Sequence, residues 1–445
     1  MGRLVLWRRE WGPLRRLAAE QGWLLVYGRR KTGKTFTARL LLPWRLYATV
    51  SRDRSVLLER RTGWPKVAEP WDAMRIIEEE LRQGHLVVID EFQRLPEETW
   101  ERLPLLHAET EGGLVLAASS LGAAKRVFDR RSPLLGLLVP YHLPIISYAD
   151  VVASLAPRLP PRRAALWGLL LREPWVAALP GAARGDPIYW LASMARLLLE
   201  TARGLIGEVF WEEDRRLTSL YEAVLRLLGA GVWDAARMAT VLHGRGLIST
   251  PSPGTVTGVL DKLAEIGLVA RTRLWRTRGR RVYYRHASPL LGVLYGLAEK
   301  LLLDENPVQP PRRIAEAATM LLARELQFSV GELLAEHHDG VPAYTVLPGG
   351  EGDVDAVVLD ARMRKALAAY EVKMGKCSRS DLEKAREAAH RAGAALAGAV
   401  CLAGADTKPP TGLDVVIDAE GLIRIATSIV SKATKRLRRE WGTTL

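Results

Sequence analysis

Short apolar blocks alternate with helically spaced stretches through the first third of the chain. Residues 23–27 (WLLVY), 86–89 (LVVI) and 113–118 (GLVLAA) read as buried strands bounded by charged or Gly residues. The amphipathic stretches between them complete a strand–helix alternation, which predicts a parallel α/β sheet. Two proline-rich breaks follow, APRLPPRR at 156–163 and ENPVQPPRR at 305–313. Consecutive prolines end helices and keep the chain extended, so both serve as domain boundaries. Between the breaks the pattern is mostly helical. After the second it predicts a helix, two strands, a helix, a strand and a basic helical tail.

The middle region ends in a distinctive series. Residues 218–231 (TSLYEAVLRLLGAG) and 234–246 (DAARMATVLHGRG) have helical apolar spacing, with Asp234 as a plausible N-cap. A third helix starts at Ser252-Pro253 and carries an apolar stripe of Val256, Val259, Leu260, Leu263 and Ile266. Residues 268–285 then read as two strands around a turn at Arg278-Gly279. Three helices and a basic hairpin resemble a winged helix-turn-helix domain.

Composition narrows the class. The chain has 445 residues, 48% hydrophobic and 26% charged, enough for several globular cores. No apolar run of about 18 residues is free of charge, so no membrane span is expected, and the N-terminus lacks a signal-peptide pattern. Cys377 and Cys401 make neither a disulfide framework nor a zinc cluster, and the compartment reads as cytoplasmic and reducing. One Asn and five Gln fit a heat-adapted protein. The net charge of +14 favours phosphate-rich partners. Much of that charge is clustered: the hairpin alone holds seven Arg and no acidic residue, including Arg271, Arg273, Arg276, Arg278, Arg280 and Arg281. Arg pairs with phosphates, and Trp275, Tyr283 and Tyr284 between them suit sugars or bases. The other reading is a hairpin that only docks domains. The third helix exposes Asp261 and Glu265, a poor surface for reading bases.

The chemistry begins at YGRRKTGKT. Gly28 to Thr35 spell G-x-x-x-x-G-K-T between an apolar strand and a helical run, the context a phosphate loop requires. Gly28 and Gly33 let the backbone curl, so that the amides through Lys31 and Thr32 point at phosphates. The next helix offers its positive end. Lys34 neutralises the β- and γ-phosphates and Thr35 ligates Mg²⁺. About 55 residues later, the second strand ends in Asp90-Glu91. Asp90 there holds Mg²⁺ through water and Glu91 polarises the attacking water. The third strand ends at Ser119, either a γ-phosphate sensor or a helix cap.

A second constellation lies near the other end. GDVDAVVLD carries Asp353 and Asp355, and YEVKMG carries Glu371 and Lys373 on one strand face. With Glu316 from the preceding helix, Asp355 and Glu371 form an oxygen set for Mg²⁺ or Mn²⁺, and Lys373 sits where it can activate water. The other reading is a degenerate domain that keeps the fold and cuts nothing.

The first 150 residues resemble an ATPase family widespread in archaea and related to the AAA+ and STAND groups. The resemblance rests on RREWGPLRRL, YGRRKTGKT, VVIDEFQRL, the ASS strand tip and RSPLLG. Leu137 stands where members commonly carry Arg. The C-terminal α-β-β-α-β order resembles the PD-(D/E)XK nuclease core in which such proteins often end. The expected fold is therefore a multidomain α/β chain. A P-loop ATPase domain with a parallel sheet spans 1–150 and a helical lid 151–205. A winged helix spans 206–304, a restriction-endonuclease-like α/β domain 305–430 and a basic tail 431–445. The resemblance implies ATP and Mg²⁺ as ligands and DNA as partner, with room for a homo-oligomer or protein partner. It leaves two functions: DNA cleavage by the C-terminal site, or a nucleotide-dependent switch whose nuclease-like domain is inactive.

Overall fold

The computed structural model describes residues 4–441 other than 21, 120, 213–217, 278–280, 307 and 346–353; for 121, 123, 212 and 436–441 it describes the backbone alone. The chain folds into two compact units, one built on Arg8–Ile145, the other on Ile146–Ile206 with Leu217–Ala433.

The first unit runs α1 (Trp11–Ala19), β1 (Trp23–Tyr27), α2 (Lys34–Leu41), β2 (Leu46–Val50), β3 (Val56–Arg60), β4 (Lys66–Ala68), α3 (Pro70–Arg82), β5 (Val87–Asp90), α4 (Leu103–Glu109), β6 (Leu114–Ala118), α5 (Leu121–Val127) and β7 (Val139–His142). Its sheet has the order β4-β3-β2-β5-β6-β1-β7. The five strands from β2 to β7 are parallel, and β3 and β4 add an antiparallel edge. Alternation explains why the strands read as continuous apolar runs. Trp23 and Leu25 enter a core with Met74, Ile77 and Leu81 of α3, whereas Leu24 and Val26 enter another with Leu14 of α1 and Ala38 of α2. Both faces are covered, as parallel sheets require. The loop strand β1 lies between β6 and β7, with β6 separating it from β5. That order aligns the carboxyl ends of β1, β5 and β6 along one edge.

The second unit opens with α6 (Tyr148–Leu155), α7 (Pro161–Leu170) and α8 (Pro187–Glu212). Next come α9 (Ser219–Gly229), α10 (Ala235–Gly244), α11 (Pro253–Glu265), β8 (Val269–Leu274), β9 (Val282–His286), α12 (Pro289–Leu301) and α13 (Pro311–His337). It closes with β10 (Val341–Thr345), β11 (Val354–Leu359), β12 (Ala366–Lys373), α14 (Arg379–Ala392), β13 (Ala394–Cys401), β14 (Val415–Ile417) and α15 (Ala419–Trp441). Asp234 caps α10 by accepting the amides of Ala236 and Arg237. One sheet runs through the unit in the order β14-β13-β12-β11-β10-β8-β9. The basic hairpin therefore does not stand alone. Strand β10 pairs with β8 through Ala343 and Arg273, and the Trp275 amide donates to the Tyr344 carbonyl at 2.8 Å. Leu274, Tyr283, Phe328 and Tyr344 bury the junction. Residues 151–206 and 218–430 lie in this one compact unit.

The cysteines correct an expectation. Cys377 and Cys401 form a disulfide. Cys401 ends β13 opposite Lys373 of β12. The chain after Lys373 turns back, and the Cys377 amide bonds Gly404 at 3.0 Å, which brings the two sulfurs together. Among the described residues, no helix is long and apolar enough to cross a membrane.

Candidate nucleotide site and a second carboxylate cluster

The phosphate loop leaves β1 at a position only Gly can fill. A Cβ on Gly28 would lie 2.2 Å from the Leu143 carbonyl oxygen. Gly33 sits at the head of α2 with φ 94°, in the left-handed region where Gly carries no steric penalty. Lys31 shares that region at φ 65°. Thr32 is buried and its hydroxyl donates to the Arg29 carbonyl at 2.9 Å. The Lys34 ammonium folds back over the loop and donates to the carbonyls of Gly28 (2.9 Å) and Arg29 (3.1 Å). Arg8, the first residue of the RREWGPLRRL stretch, is 2% exposed and fixes the loop from beneath. Its guanidinium donates to the Thr32 carbonyl at 2.6 Å and to that of Pro144.

Residues far apart in sequence converge on this loop. The Thr35 hydroxyl donates to Asp90 Oδ2 at 2.6 Å across 55 positions. Tyr47 donates to the same oxygen at 2.8 Å. Burial, and next the Asp90 charge, push the Tyr47 phenol well up, so it remains a donor. The Glu91 amide donates to Asp90 Oδ1 at 3.0 Å. Glu91 itself adopts φ 58°. Its Oε2 accepts from Ser119 Oγ (3.0 Å) and Gln93 Nε2 (2.9 Å) and lies 3.0 Å from Arg94 Nη2. Ser119 thus joins the strand-tip acid, a contact that the alternatives of sensor or cap did not include. Thr35 and Asp90 are adjoining oxygen donors at the head of the loop helix, a set that fits Mg²⁺.

In the second unit, Asp355, Glu371 and Lys373 also come together, with different chemistry. Asp355 is 8% exposed. Its Oδ1 accepts from Gln327 Nε2 at 2.7 Å and its Oδ2 from the Val372 amide at 2.8 Å. The Lys373 ammonium lies 3.1 Å from Glu371 Oε1 and 3.9 Å from Asp381 Oδ1. Burial alone would lower the Lys373 pKa. Contact with Glu371 outweighs it, aided by the charges of Asp355 and Asp381, and the net shift is upward. Glu316 is not part of the cluster. It is exposed and pairs with Arg312 at 3.1 Å. The helix position facing Asp355 is Gln327, three turns further along α13 and about 16 Å away along the axis. Among the described residues, no three His, Cys, Asp or Glu side chains are grouped to hold a metal ion. Asp355 and Glu371 lie on the neighbouring strands β11 and β12, with the Lys373 ammonium on Glu371. Asp353 lies outside the described residues.

The hairpin arginines divide. Arg276 serves structure: its guanidinium donates to the Arg391 carbonyl, and Trp275 Nε1 donates to that of Ala392 at 2.8 Å. Both cap the C-terminal end of α14, where cations are favoured. Arg271 pairs with Asp261. Arg273 and Arg281 are exposed, and Arg278 and Arg280 lie outside the described residues.

No family model and no curated protein matches the chain. Solved structures similar to it include the ORC2 protein of Aeropyrum pernix in ADPNP and ADP complexes. It is 17% identical with a TM-score of 0.37, over 70% of this chain and 92% of that one. The ORC1 protein of the same organism in complex with DNA is 19% identical with a TM-score of 0.27, over 66% and 93%. The RuvB Holliday junction branch migration motor of Thermotoga maritima is 16% identical with a TM-score of 0.31, over 62% and 92%. Such distant likenesses carry no function, which rests on the geometry above.

Proposed function

We propose that the chain binds and hydrolyses ATP with Mg²⁺ and couples this to DNA. The convergence of Thr35, Asp90 and Glu91 on the phosphate loop carries the reading. The loop and Lys34 hold the phosphates, and Thr35 with Asp90 hold the cation, which supplies charge neutralisation at the β- and γ-phosphates. Glu91 orients the attacking water. The DNA partner is proposed from the +14 charge and the exposed cations of the hairpin. The helices α9 to α11 with that hairpin serve as a winged helix, and the sheet beyond it as a nuclease-like domain.

For that last domain we favour the inactive reading. Lys373 is paired with Glu371, and Gln327 stands where the nuclease pattern expects a helix carboxylate. The test is ATP turnover measured with and without duplex DNA, with plasmid integrity followed in the same Mg²⁺ reaction. DNA-stimulated turnover with intact plasmid is expected. Cleavage that disappears in Asp355→Ala would overturn the inactive reading, and absence of turnover would overturn the ATPase.

A further inference from the structure

The turn between β11 and β12, residues 360–365 (DARMRK), carries Arg362, Arg364 and Lys365, and nothing in the function above uses them. All three are exposed. Asp360 closes the turn by accepting the amides of Arg364 at 2.6 Å and Lys365 at 2.8 Å. The turn's form therefore rests on backbone donors and leaves the cationic side chains outside. Arg273 Nη1 lies 3.3 Å from Met363 Sδ, which brings this turn to the basic hairpin. On the hairpin, strand alternation buries Thr272 and Leu274 and exposes Arg271 and Arg273. Among the described residues, no carboxylate pairs with Arg273, Arg281, Arg362, Arg364 or Lys365. Asp360 is the single acid of the turn, so its cations stand in excess; like charges in excess repel one another, and an anion relieves that cost.

We propose that the β11–β12 turn and strand β8 of the hairpin form one phosphate-binding surface for duplex DNA, with Arg362, Arg364 and Lys365 extending the contact of Arg271 and Arg273. This rests on the DNA reading above. Only the shared sheet makes the surface, because β10 ties the hairpin to β11. Strands β8 and β11 lie two strand spacings apart, about 10 Å. Cations on the two flanks can then reach phosphates across a groove of the duplex. Contacts of this kind position the protein without reading sequence.

The test is duplex binding by fluorescence anisotropy over a range of salt, using the full chain. For R362A/R364A/K365A we expect affinity to fall to a similar degree on unrelated sequences, and the log–log salt slope to shrink by about 2.7, at ~0.9 per phosphate contact. R271A/R273A should shrink it by about 1.8 on the same scale. A turn variant with the wild-type slope would overturn the proposal while leaving the hairpin reading intact. A wild-type protein that does not bind duplex at all would instead remove the DNA reading itself. Circular dichroism should place the melting of the turn variant at the wild-type temperature, since Asp360 keeps its amide donors.

Discussion

The phosphate loop and the Asp355 cluster each gather an acid pair and a lysine, but they arrange them in opposite ways. At the loop, Lys34 lies over backbone carbonyls, and Asp90 is met by the Thr35 hydroxyl, itself a ligand for a hard cation. In the cluster, Lys373 sits on Glu371, and Asp355 accepts from the Gln327 side chain and the Val372 amide. In the function we propose, similar residue types thus serve one site that takes a cation with phosphates and another whose lysine is already paired. Residue inventory does not make a metal centre; what each carboxylate already holds decides it.

The largest effect that sharpens this contrast is expected for Lys34→Ala. Loss of the loop cation should weaken ATP binding about a hundredfold, whereas Lys373→Ala should leave it unchanged; titration with a fluorescent ATP analogue checks both. Next is the disulfide under the second cluster. Its cysteines are 24 residues apart, and closing a loop of that size contributes about 3 kcal/mol. Denaturant unfolding of C377S/C401S should reveal a loss of that order, with nucleotide binding intact. The smallest is an expected zero. Without nucleotide, Mg²⁺ or Mn²⁺ should not raise the melting temperature of the second unit. A rise abolished by Asp355→Ala would place a cation there and erase the difference between the sites.

What the sequence made legible was local. The loop motif, the strand–helix alternation and the Asp234 cap depend on neighbouring residues, and the structure places them as the pattern predicts. What it hid depends on pairing between distant segments. Strand β10 carries Pro342, which demotes it in any strand reading, so the link from hairpin to sheet was invisible. Register alone sets Cys401 opposite Lys373 and so makes the disulfide. The sequence pattern took the acid near the start of α13 as the site residue. The helix runs on to His337, and its length brings Gln327 to Asp355 instead. Arg8 opens the RREWGPLRRL stretch, but only its burial under the loop reveals what it holds.

The central claim is that Glu91 activates water for a nucleotide held by the loop. The most direct test is the DNA-stimulated turnover assay repeated on Glu91→Gln, with ATP retention measured alongside. The variant should keep ATP bound while turnover falls at least ~10²-fold. Turnover equal to wild type would contradict it.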